Sequence, residues 1–218
     1  MLVVSGKAGA KNGKVSNKYD LIVTPFGPFF AIWGIIYIGL IISGVYCLVS
    51  NTWSLGVTVL FAAVNILNAL WVYVFSFATL TTNNICLFIV ILMTLLNQVQ
   101  WVWMEIPANS FEDISTWNIT NRNIFAFYQG WLIAASNLNL GVTLVHSLGV
   151  SKNTHAFIFW IMCPLCIIGM VIFNLTLTEG FVNNIAMYFS AIYALFGAFI
   201  STKRKYGKDE HVLLSSYK

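Results

Sequence analysis

Charge is what this chain most lacks. Only 8% of its 218 residues are Asp, Glu, Lys or Arg, against 59% hydrophobic, and the mean hydropathy is +0.81. From Leu21 to Met104 inclusive, 84 consecutive residues, there is no Lys, Arg, His, Asp or Glu. Such a chain cannot cover a water-soluble globule with polar side chains, so it is a multi-span membrane protein.

Further absences narrow the function. The apolar runs contain no Asp, Glu, Lys or Arg in their interiors, which excludes a proton relay, an ion-coupling site or a voltage sensor of the usual kind. No nucleophile with its base, no paired carboxylates and no metal-ligand cluster stand out, so the sequence carries no recognisable catalytic constellation. Nothing points to nucleic acid. Cys163 and Cys166 form CPLC inside an apolar run, without the polar, accessible setting of a redox pair or the further ligands zinc requires. No histidine follows Cys166, so covalent haem attachment is not indicated, and Cys47 and Cys86 stand alone. His146 reads as an interfacial residue rather than a haem ligand. The first 20 residues lack the apolar core of a signal peptide and read as a basic, solvated tail.

What is present is apolar length. A spanning helix needs ~20 largely apolar residues, and turn or polar breaks divide the chain into six such runs at about 28–50, 53–79, 84–104, 123–148, 154–177 and 181–201. The expected fold is therefore all-α, a multi-pass transmembrane bundle of six helices over residues 25–202, with basic tails at 1–24 and 203–218. Pro25 and Pro28 set the first helix start; SNTW (50–53), TTNN (81–84), Lys152–Thr154 and the region of Glu179 and Gly180 separate later helices. An even helix count puts both termini on one side. Ten of the eleven basic residues then fall on that side, with Arg122 alone opposite, while Glu105, Glu112, Asp113 and Glu179 occupy the outer loops. Positive charge marks the termini as cytoplasmic or matrix-facing.

Aromatic residues divide into two groups. Trp53, Trp101, Trp103 and Trp160 lie near helix ends, where indoles form an interfacial belt. Others recur at helical spacing: Phe29, Trp33 and Tyr37 in the first run; Asn68, Trp71 and Phe75 in the second; Tyr128, Trp131, Ala135 and Asn139 in the fourth. An unpaired asparagine amide in lipid costs several kcal/mol, so Asn65, Asn68, Asn97, Asn137 and Asn139 should face protein, water or ligand. Interhelical glue is one account of them. The other is a cavity whose ring-lined walls and few polar groups orient a large, flat, apolar ligand.

Three blocks of this pattern resemble the translocator protein family, TspO/MBR. FFAIWGIIY has its F-x3-W-x3-Y spacing, LNALWVYVF has LN-x2-W-x3-F, and Tyr128 to Asn139 has Y-x2-W-x3-A-x2-L-N; together they cover about residues 25–145. The resemblance implies a TspO-like helical core that binds porphyrins, haem-related compounds and, in some animals, cholesterol, and some bacterial members are reported to degrade porphyrin in light. It implies ligand contacts at Phe29, Trp33, Tyr37, Asn68, Trp71, Phe75, Tyr128, Trp131, Ala135 and Asn139. Short members have five helices; here the family's first helix is expected to be missing and two more, about 154–201, to follow the last block. Of the sterol-associated patterns only the reversed one, Arg122, Phe127 and Leu132, is present.

Two functions follow: a binding protein for a porphyrin or haem-related tetrapyrrole, less so for a sterol, or a non-catalytic accessory subunit of a larger membrane complex such as a respiratory assembly. The partners expected are the lipid bilayer, a hydrophobic small molecule and other membrane subunits. Family and tail composition favour a mitochondrial membrane. A glycosylation sequon at Asn118–Thr120 and the dileucine-like DEHVLL (209–214) point instead to endomembranes or lysosomes.

Overall fold

The computed structural model describes residues 18–50, 53–77, 79–105, 116–177 and 185–216. They form six α-helices: α1 Ile32–Ser50, α2 Leu55–Phe75, α3 Leu80–Glu105, α4 Thr116–Val142, α5 Lys152–Leu177 and α6 Ile185–Ser216. A 3-10 turn, Gly27–Ala31, leads into α1, and a π-helical stretch, Thr143–Ser147, closes α4. The expected all-α membrane bundle is what forms. The tail up to residue 17, the acidic loop residues Glu112, Asp113 and Glu179, and the break at Glu179 and Gly180 lie outside the described residues.

Local chemistry sets the helix ends. Pro28 sits at the start of the 3-10 turn, where its missing N–H is no loss. The Ser54 hydroxyl caps α2 by accepting from the Val57 N–H at 3.3 Å. Thr79 and Thr82 cap α3 reciprocally: each backbone N–H donates to the other's hydroxyl, at 3.0 and 3.1 Å. TTNN is therefore not a break; it is the first turn of α3. After the π-helical stretch, Gly149 takes a left-handed φ of 72°, and Ser151 caps α5 through the Thr154 N–H at 3.0 Å.

Five stretches of the described residues are long and apolar enough to cross a membrane: 27–50, 55–75, 80–104, 152–173 and 185–207. The remaining helix, α4, spans with them, because it runs antiparallel to α3 along its length. Thr143 and Ser147 donate to Asn84 Oδ1 at one end, Thr94 and Ser136 pair at 3.0 Å midway, and Asn97 donates to Gln129 at 2.7 Å toward the other. That register places Trp101 beside the early turns of α4, which begins seven residues before the expected start at 123. Trp101 is accordingly a core residue, 2% exposed, and not a belt residue.

α4 is the centre of the bundle and packs against α1, α3, α5 and α6, whereas α2 has its main contact with α3. Each outer helix divides into a protein face and a lipid face. On α1, Ile32, Ile36 and Leu40 are buried while Ile35, Ile38 and Ile42 are exposed, the i, i+4 rows of an amphipathic helix read against lipid rather than water. α4 and α6 meet closely: a Cβ on Gly130 would overlap the Met187 carbonyl oxygen and the Ser190 hydroxyl.

Residues ahead of α1 also belong to the core. Tyr19, Leu21 and Val23, which the sequence assigns to the basic tail at 1–24, are buried. The Phe26 N–H donates to the Gly197 carbonyl at 3.3 Å, and Lys205 of α6 pairs with Asp20 at 2.7 Å. The Tyr206 hydroxyl donates to Asn153 at the start of α5. Both ends of the described chain thus lie at one end of the bundle. α6, at 32 residues, is ~48 Å long at 1.5 Å per residue, longer than the ~30 Å hydrocarbon layer. Its last turns, which carry most of the expected basic tail at 203–218, are helical to Ser216.

Candidate functional site

A cavity of about 570 Å³ opens between the residues ahead of α1 and helices α1, α2, α4 and α6. One wall is a ladder of rings. Tyr37 and Trp33 lie 5.6 Å apart and 28° from parallel, Trp33 and Trp71 6.0 Å and 27°, Trp71 and Phe75 5.0 Å and 12°. These are offset-stacked arrangements, the favourable alternative to a face-to-face sandwich. α1 contributes two rungs and α2 two, so the ladder is also what joins these helices on this side. A second wall stands perpendicular to it: Trp131 of α4 meets Trp33 at 85°, and Phe30 meets Trp131 at 88°.

Behind the ladder runs a hydrogen-bonded chain. The Tyr37 hydroxyl donates to Asn68 Oδ1 at 3.3 Å, and Asn68 Nδ2 donates to the Tyr128 hydroxyl at 2.6 Å. One side chain from each of α1, α2 and α4 is satisfied by this chain, and it fixes the spacing of the three helices that carry the rings. Asn139 solves its polarity locally, donating Nδ2 to the Ala135 carbonyl at 2.8 Å and leaving Oδ1 for the cavity side. Asn65 and Asn137 make the same bond to the carbonyl four residues back. The indole N–H groups of Trp71 and Trp131 are buried with no hydrogen-bond partner among the described residues. A ring-lined cavity wall with one amide side chain on it suits a ligand with a few polar atoms on an apolar body.

Seven of the ten candidate contacts line the cavity: Trp33, Tyr37, Trp71, Phe75, Trp131, Ala135 and Asn139. Asn68 and Tyr128 stand one layer behind, in the hydrogen-bonded chain. Phe29 turns the other way, onto α6, with its ring 4.7 Å from Tyr193 and 2.7 Å from where a Cβ on Gly197 would sit. The cause is the 3-10 turn, at 3.0 residues per turn: the i, i+4 spacing that would align Phe29 with Trp33 applies only to an α-helix. Phe30 takes the place on the cavity side instead.

The mouth at the chain-end side was not legible locally. Tyr19, Asp20, Thr24, Phe26, Ser201 and Lys205 form it. The Lys205 ammonium donates to Asp20 Oδ1 at 2.7 Å and to the Leu21 carbonyl. Nearby, the Arg204 guanidinium lies 4.0 Å from the Phe26 ring centroid, a cation–π contact that ties the segment to α6, and Lys18 lies 5.2 Å from the ring centroid of its neighbour Tyr19. The His146 ring meets the edge of Tyr19 at 5.2 Å.

The sequence model of the TSPO-like proteins matches residues 2–216. The chain belongs to the TSPO-like protein family. The match runs well past residues 25–145, which carry the three blocks, so α5 and α6 are part of the family region of this TSPO-like protein and not an appendage to it. Neither a curated protein nor a solved structure matches the chain.

Proposed function

We propose that this TSPO-like membrane protein binds a flat, apolar ligand, with a porphyrin or haem-related tetrapyrrole the class that fits best. The observation that carries the reading is the four-ring ladder of Tyr37, Trp33, Trp71 and Phe75 facing a cavity of about 570 Å³. Ligand pockets for small molecules run ~300–1,000 Å³ and combine apolar walls with a few polar groups. A planar macrocycle can stack along the ladder with its edge toward the Trp131 and Phe30 wall. A sterol, which is puckered and aliphatic, gains less from aligned rings. Light-driven chemistry would need only a bound pigment beside tryptophan.

The test is a titration of the purified protein in nanodiscs with a metal-free porphyrin, read by quenching of tryptophan fluorescence. Trp71→Leu is the informative variant, because Trp71 is half-buried at the cavity wall whereas Trp131, 1% exposed, is core as well. A stacking contact is worth ~0.5–1.5 kcal/mol beyond area burial, so affinity should fall a few-fold to roughly tenfold. Equal affinity in wild type and Trp71→Leu would sink the ladder as the binding wall.

A second reading, an accessory subunit of a larger membrane assembly, draws on α6, whose length exceeds that of a simple span. Native purification with intact partners distinguishes the two readings. On location, Asn118 lies in the first turn of α4, whereas a glycosylation acceptor belongs in a surface loop, which supports the mitochondrial membrane over endomembranes. A glycosidase-sensitive mass shift would overturn that choice.

A further inference from the structure

The cavity is apolar at one end and charged at the other. Among the described residues, Asp20 and Lys205 are the only lining residues with a formal charge, and both are at the mouth. A ligand with one ionised group must therefore place it there. Two polarities are conceivable: a cation on Asp20 or an anion on Lys205. The surroundings decide between them. Arg204 lies over Phe26 and Lys18 beside Tyr19, both mouth residues, so three of the four charged side chains placed at this end among the described residues are cationic. The local field favours an anion. Lys205 also has capacity: an ammonium has three N–H donors, and Asp20 and the Leu21 carbonyl take two among the described residues. The Ser201 hydroxyl, one helical turn earlier on α6, lines the same end.

We propose that Lys205 is the anion anchor of the cavity. It takes the carboxylate of a flat apolar acid whose ring body lies along the aromatic ladder, and Asp20 is the internal carboxylate that such a ligand competes with. This rests on the ladder being the binding wall and adds the headgroup chemistry. It also gives the pre-α1 segment a role. Asp20 and the Leu21 carbonyl belong to the segment that closes the mouth, so drawing Lys205 toward a ligand weakens that segment's hold on α6.

The probes are a porphyrin dicarboxylic acid and its dimethyl ester, which share one ring body, titrated into the protein in nanodiscs of zwitterionic phospholipid so that no lipid anion competes. Wild type should prefer the acid by roughly tenfold, the usual scale of one charge-assisted hydrogen bond. Lys205→Met should bring the acid-to-ester ratio close to one. Lys205→Arg should keep the preference, which guards against a trivial loss of fold. Asp20→Asn should raise acid affinity, since it removes the competitor. Equal binding of acid and ester by wild type, or an unchanged ratio in Lys205→Met, overturns the anchor while leaving the ladder intact. Binding of neither compound overturns the ladder and the anchor together.

Discussion

Helices α2 and α4 both supply rings to the cavity, yet they are built on opposite terms. α2 is a strongly apolar span with only 17% of its apolar stretch buried inside the protein. α4 is not among the five apolar spans, and its residues Tyr128 to Ala135 are buried without interruption. The helix with Asn121, Arg122, Gln129 and Asn137 in its buried positions is the one farthest from lipid. Lipid provides no hydrogen bonds, so polar side chains collect where other helices can meet them, and apolar ones are left to face the hydrocarbon. Hydropathy therefore finds the periphery of such a bundle more readily than its centre.

The sharpest way to break this contrast is to add bulk at equivalent glycines. Gly130 of α4 sits against the Met187 carbonyl of α6, whereas Gly169 of α5 has nothing within 4 Å of its would-be Cβ. Gly130→Leu should cost ~1–3 kcal/mol or more, because two helix backbones would have to separate. Gly169→Leu should be nearly neutral. Thermal unfolding in detergent and recovery of monodisperse protein measure both. Equal loss in the two variants would mean that the crossing of α4 and α6 is not the tight contact described.

A smaller effect is expected from single hydroxyls. Tyr128→Phe leaves Asn68 Nδ2 without its 2.6 Å acceptor in a buried setting and should cost ~1–3 kcal/mol. Tyr73→Phe on the outer face of α2, where the ring is 62% exposed, should stay within ~0.5 kcal/mol. If Tyr128→Phe were as mild as Tyr73→Phe, the chain from Tyr37 through Asn68 to Tyr128 would not be what spaces the three ring-bearing helices.

How much of this could be read from the sequence follows from the same physics. The outer helices were legible because their lipid-facing rows are long and apolar, and α4 was placed by its motif residues and by neighbouring breaks. Its true start was hidden: Thr116 to Arg122 is polar and reads as loop until α3 is seen beside it. The ring stripes of α1 and α2 were legible from Trp33 onward, because α-helical spacing holds there. Phe29 was misassigned because the 3-10 turn changes the angular step. Lys205 and Asp20 were invisible as a pair, since 185 residues separate them and neither belongs to a local motif.

The finest distinction is between two asparagines that look alike. Asn65 of α2 and Asn139 of α4 each donate Nδ2 to the carbonyl four residues back, at 2.8 Å in both cases. This bond meets the donor without any other helix, so replacing either residue by leucine leaves no buried donor unpaired and should move stability by no more than ~0.5 kcal/mol. They differ in what the amide oxygen can reach, because Asn139 lines the cavity and Asn65 does not. Asn139→Leu should therefore weaken porphyrin binding by ~0.5–1.5 kcal/mol, a few-fold in affinity, by removing one polar contact. Asn65→Leu should leave binding where it was. Matched quenching titrations and melting curves on the two variants separate the cases. Unchanged affinity in Asn139→Leu would assign its amide to the helix alone and move the polar recognition of the ligand to the charged mouth.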